Sequence, residues 1–155
     1  LKIKFVTLNN RKKAIEIETI KGKFSLPFSR LELRPSAKNR IAQIFIDKEL
    51  GSRAVTYVMT SGKEASVHLD AFLDYNKDPD FVRAAALYQL TIAAMGLMSK
   101  SSLSKHEVVR RLKTSPSQLA RLLDPANKSK SVDEMLRLMS VLGYRVEWHI
   151  VKEVA

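Results

Sequence analysis

The sequence predicts an α+β fold, with a small antiparallel β-rich module over residues 1–79 and an all-helical module over 80–155 that ends in a strand. Three observations carry this expectation. Residues 1–70 alternate apolar and polar with period two and are rich in β-branched and aromatic side chains. From Asp70 the period becomes that of a helix, and in the last third three serines stand at the spacing of helix starts.

The strands come first. Ile3 and Phe5, then Ala14 to Ile20, then "IAQIFI" and "AVTYVM" all alternate, and turns at Lys21-Gly22-Lys23 and Ser61-Gly62-Lys63 predict hairpins at 14–28 and 53–69. Between them "SRLELRPSAKNR", with Pro35, has no clear period and reads as a basic loop or as a strand end followed by a turn. No internal repeat is visible. The module boundary is expected at 76–80, where Pro79 suits an initiating turn.

The next segment, 81–98, is apolar nearly all round, so it is expected to be covered on more than one side, between the sheet and the C-terminal helices. Its longest apolar run, 84–98, is too short to span a bilayer, and its methionines are read as core. Ser104, Ser115 and Ser131, each followed at the third position by Glu107, Gln118 and Glu134, match the capping box and predict helices at 104–112, 115–123 and 131–142, with Gly143 as the stop. Pro116 falls at the first helical position, which tolerates proline best. After Gly143, Tyr144, Val146, Trp148 and Ile150 alternate with Arg145, Glu147 and His149, the pattern of a half-buried strand over 144–151.

The chain has 155 residues, 45% of them hydrophobic, enough to form cores without staples. It has no cysteine, which excludes disulfides and thiolate metal sites and points to a reducing cytoplasm, and its opening "LKIKFVTL" has no signal-peptide region. A formal charge of +11 favours a polyanionic partner. Residues 100–131 hold eight of the basic side chains and only Glu107 and Asp124 as acids, so the charge of the second half is concentrated there.

The same stretch presents three apolar stripes able to close a core: Val108, Val109 and Leu112; Leu119, Leu122 and Leu123; and Met135, Leu136, Met139 and Leu142. Outward on the 115–123 helix remain Ser117, Gln118 and Arg121, groups whose hydrogen bonding suits base edges. On Leu103, Ser104, Glu107, Val108, Leu112, Thr114, Ser115, Leu119 and Leu122 the chain resembles the Cro/repressor-like (XRE-type) helix-turn-helix family, closely over about 22 residues. The resemblance implies a lambda-repressor-like fold for the helical module, with 104–112 as positioning helix and 115–123 as recognition helix in the major groove of double-stranded DNA. It carries the base-reading positions onto Pro116, Ser117 and Arg121, with Gln118 beside them, Ser115 in the same DNA-binding set and a phosphate contact on Lys105. Since Pro116 offers no polar side chain, specificity rests mainly on Arg121, and Lys128 and Lys130 after the recognition helix are placed for phosphates. Lys113 stands where the family has its turn glycine, and Val109 where it has a small alanine.

The function this implies is sequence-specific regulation of transcription by a cytoplasmic, bacterial homodimer. The alternative is an antitoxin-type protein that binds a partner toxin and autoregulates through the same helices, since antitoxin-like relatives of the family show a similar C-terminal arrangement. The N-terminal module is similar to small β-rich domains of unknown function that precede such helices, and is expected to dimerise, bind a protein partner or sense a ligand. An RNA reader is disfavoured because the strands lack clustered exposed aromatics.

Enzymatic chemistry is not expected, because His68, His106 and His149 lie in different elements and no nucleophile has a base beside it. No cofactor and no metal are expected either. "DYNKDP" opens like a calcium loop but has Pro79 where glycine is needed and Ala85 where the bidentate glutamate belongs, and His68, Asp70 and Asp74 read as surface groups at a strand-to-helix junction.

Overall fold

The computed structural model describes residues 1–152 and divides into two compact units, Leu1–Val82 and Arg83 onward. The first unit holds two three-stranded antiparallel meanders, β1 (Ile3–Asn9), β2 (Ala14–Thr19) and β3 (Gly22–Pro27), then β4 (Ile41–Asp47), β5 (Ala54–Met59) and β6 (Glu64–His68). Both expected hairpins form, β2 with β3 and β5 with β6. The Ile3 amide donates to the Ser52 carbonyl at 2.8 Å and links the two meanders. Ile15, Ile17 and Leu26 from one and Val55, Tyr57 and Met59 from the other join Leu69 and Phe72 of α1 (Leu69–Tyr75) in one buried core. Tyr57 is fully buried, and its hydroxyl oxygen accepts from the Leu33 amide, which anchors the basic loop to the core.

The two meanders repeat each other, against the expectation of no repeat. β1 and β4 share one burial pattern and carry the same register shift after their first residue. Asn9 and Asp47, at matching strand ends, each accept from an amide three residues on, Lys12 in one case and Leu50 in the other. The same two side chains each reach the third residue of the next strand, Asn9 to Glu16 and Asp47 to Thr56. The Lys13 and Arg53 carbonyls accept from Phe28 and Leu69, the residues that follow each meander. The repeat hides in the sequence because only Ile3/Ile41, Ala14/Ala54 and Ser25/Ser66 are identical between matched strand positions. What recurs is pleat, turn and burial, which many residue types satisfy.

A short junction follows α1. Asn76 donates to the carbonyls of Phe72 and Ser25, Lys77 takes a left-handed backbone, and the Asp78 carboxylate accepts from the Phe81 amide and pairs with Lys21. These contacts start α2 (Pro79–Lys100), whose first turn packs Phe81 on the N-terminal core. Two expectations about this helix need correction. Only Leu87, Thr91 and Ala94 are buried, while Tyr88, Ile92 and Met95 are about half exposed, so α2 is covered on one face. With residues 79–83 and 99–100 carrying the helix beyond the apolar run at both ends, α2 reaches 22 residues, about 33 Å at the α-helical rise. Among the described residues it is the one helix long and apolar enough, by length and composition, to cross a membrane.

In the second unit Leu87 and Ala94 of α2 pack with α3 (Lys105–Leu112), α4 (Pro116–Leu122) and α5 (Val132–Val141) around Val108, Leu119, Met135 and Leu138. Ser104, Ser115 and Ser131 cap the three helices, each accepting from the amide three residues on at 3.1 to 3.2 Å. The reciprocal arm exists only at Ser131, whose amide donates to Glu134 at 2.7 Å. At the other two caps a cation of the same helix holds the side chain instead: Arg110 and Arg111 take Glu107, and Arg121 takes Gln118. After α5, Gly143 turns left-handed, its amide bonding Ser140 and that of Tyr144 bonding Met139, a closure that stops the helix.

The expected strand at 144–151 does not form. A strand needs a neighbour for its amides and carbonyls, and residues 144–152 have no ladder partner among the described residues. Val146 alone of the alternating set touches the helical core, leaving Tyr144, Trp148 and Ile150 exposed.

Candidate nucleic-acid interface

The candidate surface is the pair α3 and α4 with the turn between them. The turn is set by Lys113, left-handed at φ 53°, where its amide bonds Arg110 and the Thr114 amide bonds Val109. A lysine there keeps a β-carbon where glycine would carry none, at a cost of about 1 kcal/mol. Ser115 then caps α4 and Pro116 occupies its first position, so only three residues, Lys113, Thr114 and Ser115, separate α3 from α4.

The sequence-predicted residues divide by place. Lys105, at the start of α3, and Lys128, in the loop after α4, are exposed with no ion pair among the described residues. Pro116, Ser117 and Gln118 are exposed along the first turn of α4. Ser115 is half-buried, and its hydroxyl is engaged as a cap with the Gln118 amide and with the Ser117 hydroxyl at 3.0 Å.

Two of the predicted residues are engaged within the protein. Lys130 is completely buried, its ammonium donating to the Leu122 carbonyl at 2.8 Å and the Asp124 carbonyl at 2.7 Å, so it cannot meet a phosphate. It caps the C-terminal end of α4, where a cation faces the negative end of the helix dipole, and burial pushes its pKa down. Arg121, expected to be the main reader, is two-thirds buried and bound inside the protein: Nη2 pairs with Glu134 at 2.7 Å and Nε donates to the Gln118 side-chain oxygen at 2.8 Å. The Glu134 carboxyl lies below the ordinary glutamate range, chiefly because the Ser131 amide donates to it.

Side chains not singled out in the sequence complete the surface. Lys113, Gln118 and Arg137 line a shallow cleft of about 170 Å³ with Leu112, Thr114 and Glu134. Arg83 donates to the Lys128 and Lys130 carbonyls at 3.1 and 2.9 Å and so fixes the loop after α4 from α2. The sequence signal for Arg83 was its isolation, a single cation followed by sixteen uncharged residues, 84–99. On α3, Arg110 and Arg111 both bind Glu107, whose carboxyl their hydrogen bonds lower to about 2, so the three groups together present one net positive charge.

Comparison of the chain with protein-family models, with curated proteins and with solved structures gives no match.

Proposed function

We propose that α3 and α4 form a helix-turn-helix that reads double-stranded DNA, with Gln118 as the principal base contact, and that the protein regulates transcription. The observation that carries this reading is the first turn of α4, where Gln118 and Ser117 stand exposed while the apolar face, the caps and Arg121 are all engaged within the protein. Arg121 bonds the Gln118 side-chain oxygen and holds the amide in one orientation, leaving its NH₂ and the second lone pair of its oxygen for the paired contact that adenine offers in the major groove. Lys113 and Arg137 share a cleft with Gln118, and these two with the exposed Lys105 and Lys128 supply the phosphate contacts, although Arg137 also pairs with Asp133 on α5. Two such short helices read a site best as a homodimer, one helical turn of DNA apart.

Selection of bound duplexes from a random pool, at near-physiological salt, tests this with the intact chain, Gln118→Ala and Arg121→Ala. The expected result is a palindromic motif that loses preference at one base position, by about 1–3 kcal/mol, in Gln118→Ala. Arg121→Ala is expected to blur that same position by freeing the Gln118 amide. Binding without a motif, with a steep salt dependence, would sink base reading and leave phosphate affinity alone.

A second reading, an antitoxin that binds a partner toxin and autoregulates, is favoured by the tail. Tyr144, Trp148 and Ile150 are exposed in a segment whose backbone joins no sheet among the described residues. Co-expression with the adjacent gene product, followed by purification of a stoichiometric complex that residues 144–152 are needed to hold, would decide for it.

A further inference from the structure

In the N-terminal unit two clefts, of about 490 and 360 Å³, adjoin and share Lys13, Phe28 and Pro35 in their walls. Arg40 and the buried Ile41 line the first, Lys12 and Arg34 the second, and no acidic side chain lines either. Lys12 pairs with Glu16, but Lys13, Arg34 and Arg40 have no carboxylate partner among the described residues.

The internal repeat shows what is missing. Lys13 matches Arg53 of the second meander, and there α1 supplies a carboxylate, Asp70, 3.5 Å from the Arg53 guanidinium. After β3 the chain makes only one 3-10 turn, Phe28–Arg30, and the residue at the place of Asp70 is Ser29, which carries no charge. The first half thus has no helix in the place of α1 and no carboxylate for Lys13, and its clefts gather Lys13, Arg34 and Arg40 without an internal anion.

The walls are held in place before any ligand arrives. Phe28 donates its amide to the Lys13 carbonyl at 2.8 Å, which couples ring to cation, and Lys13 itself adopts a left-handed backbone at φ 51°. On the other side Ser36 and Asn39 exchange backbone hydrogen bonds, and the Asn39 side-chain oxygen accepts from Thr60 and Ser61, fixing the loop that carries Pro35 and Arg40. Fixed walls reduce the ordering cost of binding. The larger cleft falls in the size range of small organic ligands rather than of a single inorganic ion, and it combines an apolar ring with cations that suit phosphate oxygens.

We propose that this cleft binds a small phosphorylated ligand with a flat apolar part, of the nucleotide class, its phosphates on Lys13, Arg34 and Arg40 and its ring against Phe28.

Amide ¹⁵N–¹H spectra of the full chain, titrated separately with ADP, inorganic phosphate and adenosine, test this. ADP is expected to give saturable shifts at Lys13, Phe28 and Arg40, with roughly tenfold tighter binding than either fragment, and Lys13→Glu/Arg40→Glu is expected to weaken it by roughly tenfold or more. Lys13→Gly relieves the left-handed backbone while removing one cation, so it should bind ADP more weakly at undiminished thermal stability. No saturable shift in the millimolar range, shifts confined to α3 and α4, or inorganic phosphate binding as tightly as ADP would each overturn the proposal. Shifts at the cleft produced only by a DNA duplex would overturn it in favour of nucleic-acid phosphates.

Discussion

Lys130 shows how one residue type serves opposite ends. Its charge reads in the sequence as a phosphate contact, yet the fold closes the loop after α4 over it and gives its ammonium two carbonyls. Lys130→Ala removes both bonds and leaves a cavity under the loop, so it is expected to destabilise the protein by about 2–4 kcal/mol, measured by denaturant unfolding. Lys128→Ala, two residues earlier and exposed, should leave stability unchanged and reduce the salt dependence of DNA binding by about one contact. Lys113 is the reverse case. Its left-handed backbone strains a β-carbon, so Lys113→Gly is expected to raise stability by roughly 0.5–1 kcal/mol despite the extra freedom of glycine when unfolded.

At the scale of an element, α3 is held by charges of its own. Glu107 lies in its first turn, where the helix dipole favours an anion, and binds Arg110 and Arg111 one turn along. The hydrogen bonds from those arginines lower its carboxyl from 4.5 to about 2. A carboxylate whose folded pKa is depressed adds stability that is fully present above its unfolded value and lost as pH falls through the folded one. NMR titration should place the Glu107 midpoint near 2. The stability it contributes should decline from about pH 4.5 downward in the intact chain and be absent in Glu107→Gln at every pH. A Glu107 midpoint at the ordinary glutamate value would contradict the pairing. The serine caps follow the same local logic: the hydroxyls act where the spacing put them, and Glu134 completes its box with one oxygen while the other pairs with Arg121, whereas Glu107 gives its oxygens to Arg110 and Arg111.

The whole molecule poses the question of what covers α2. In a chain of net charge +11, two copies repel over most of their surfaces, but 84–99 carry no charge at all. Ala85, Tyr88, Ile92 and Met95 recur along α2 at alternating steps of three and four, the spacing of a helix-to-helix seam, and the last three are exposed. The homodimer of the proposed function is therefore expected to form along this stripe. Light scattering at micromolar concentration should give twice the mass of the chain, and Ile92→Glu should return it to one chain without unfolding it, since Ile92 lies outside the core. A monomeric parent protein would remove the dimer from the reading.

Local rules made most of the elements legible. Period-two runs with glycine turns specified the hairpins, and serine caps, Pro116 and Gly143 placed three helices within a residue or two, because such signals act between neighbours in the chain. Along these runs the sequence by itself determined an antiparallel β unit, a helical unit and a basic turn between α3 and α4. What only the tertiary structure decided is which polar groups remain available. Arg121 and Lys130 look alike in sequence to Gln118 and Lys128, but Glu134 and the α4 carbonyls, brought up by packing, bind the first two and leave the others exposed. The internal repeat, the cationic cleft beside Phe28 and the unpaired tail were hidden for the same reason: each depends on groups distant in the chain, and period and spacing carry no record of long-range partners.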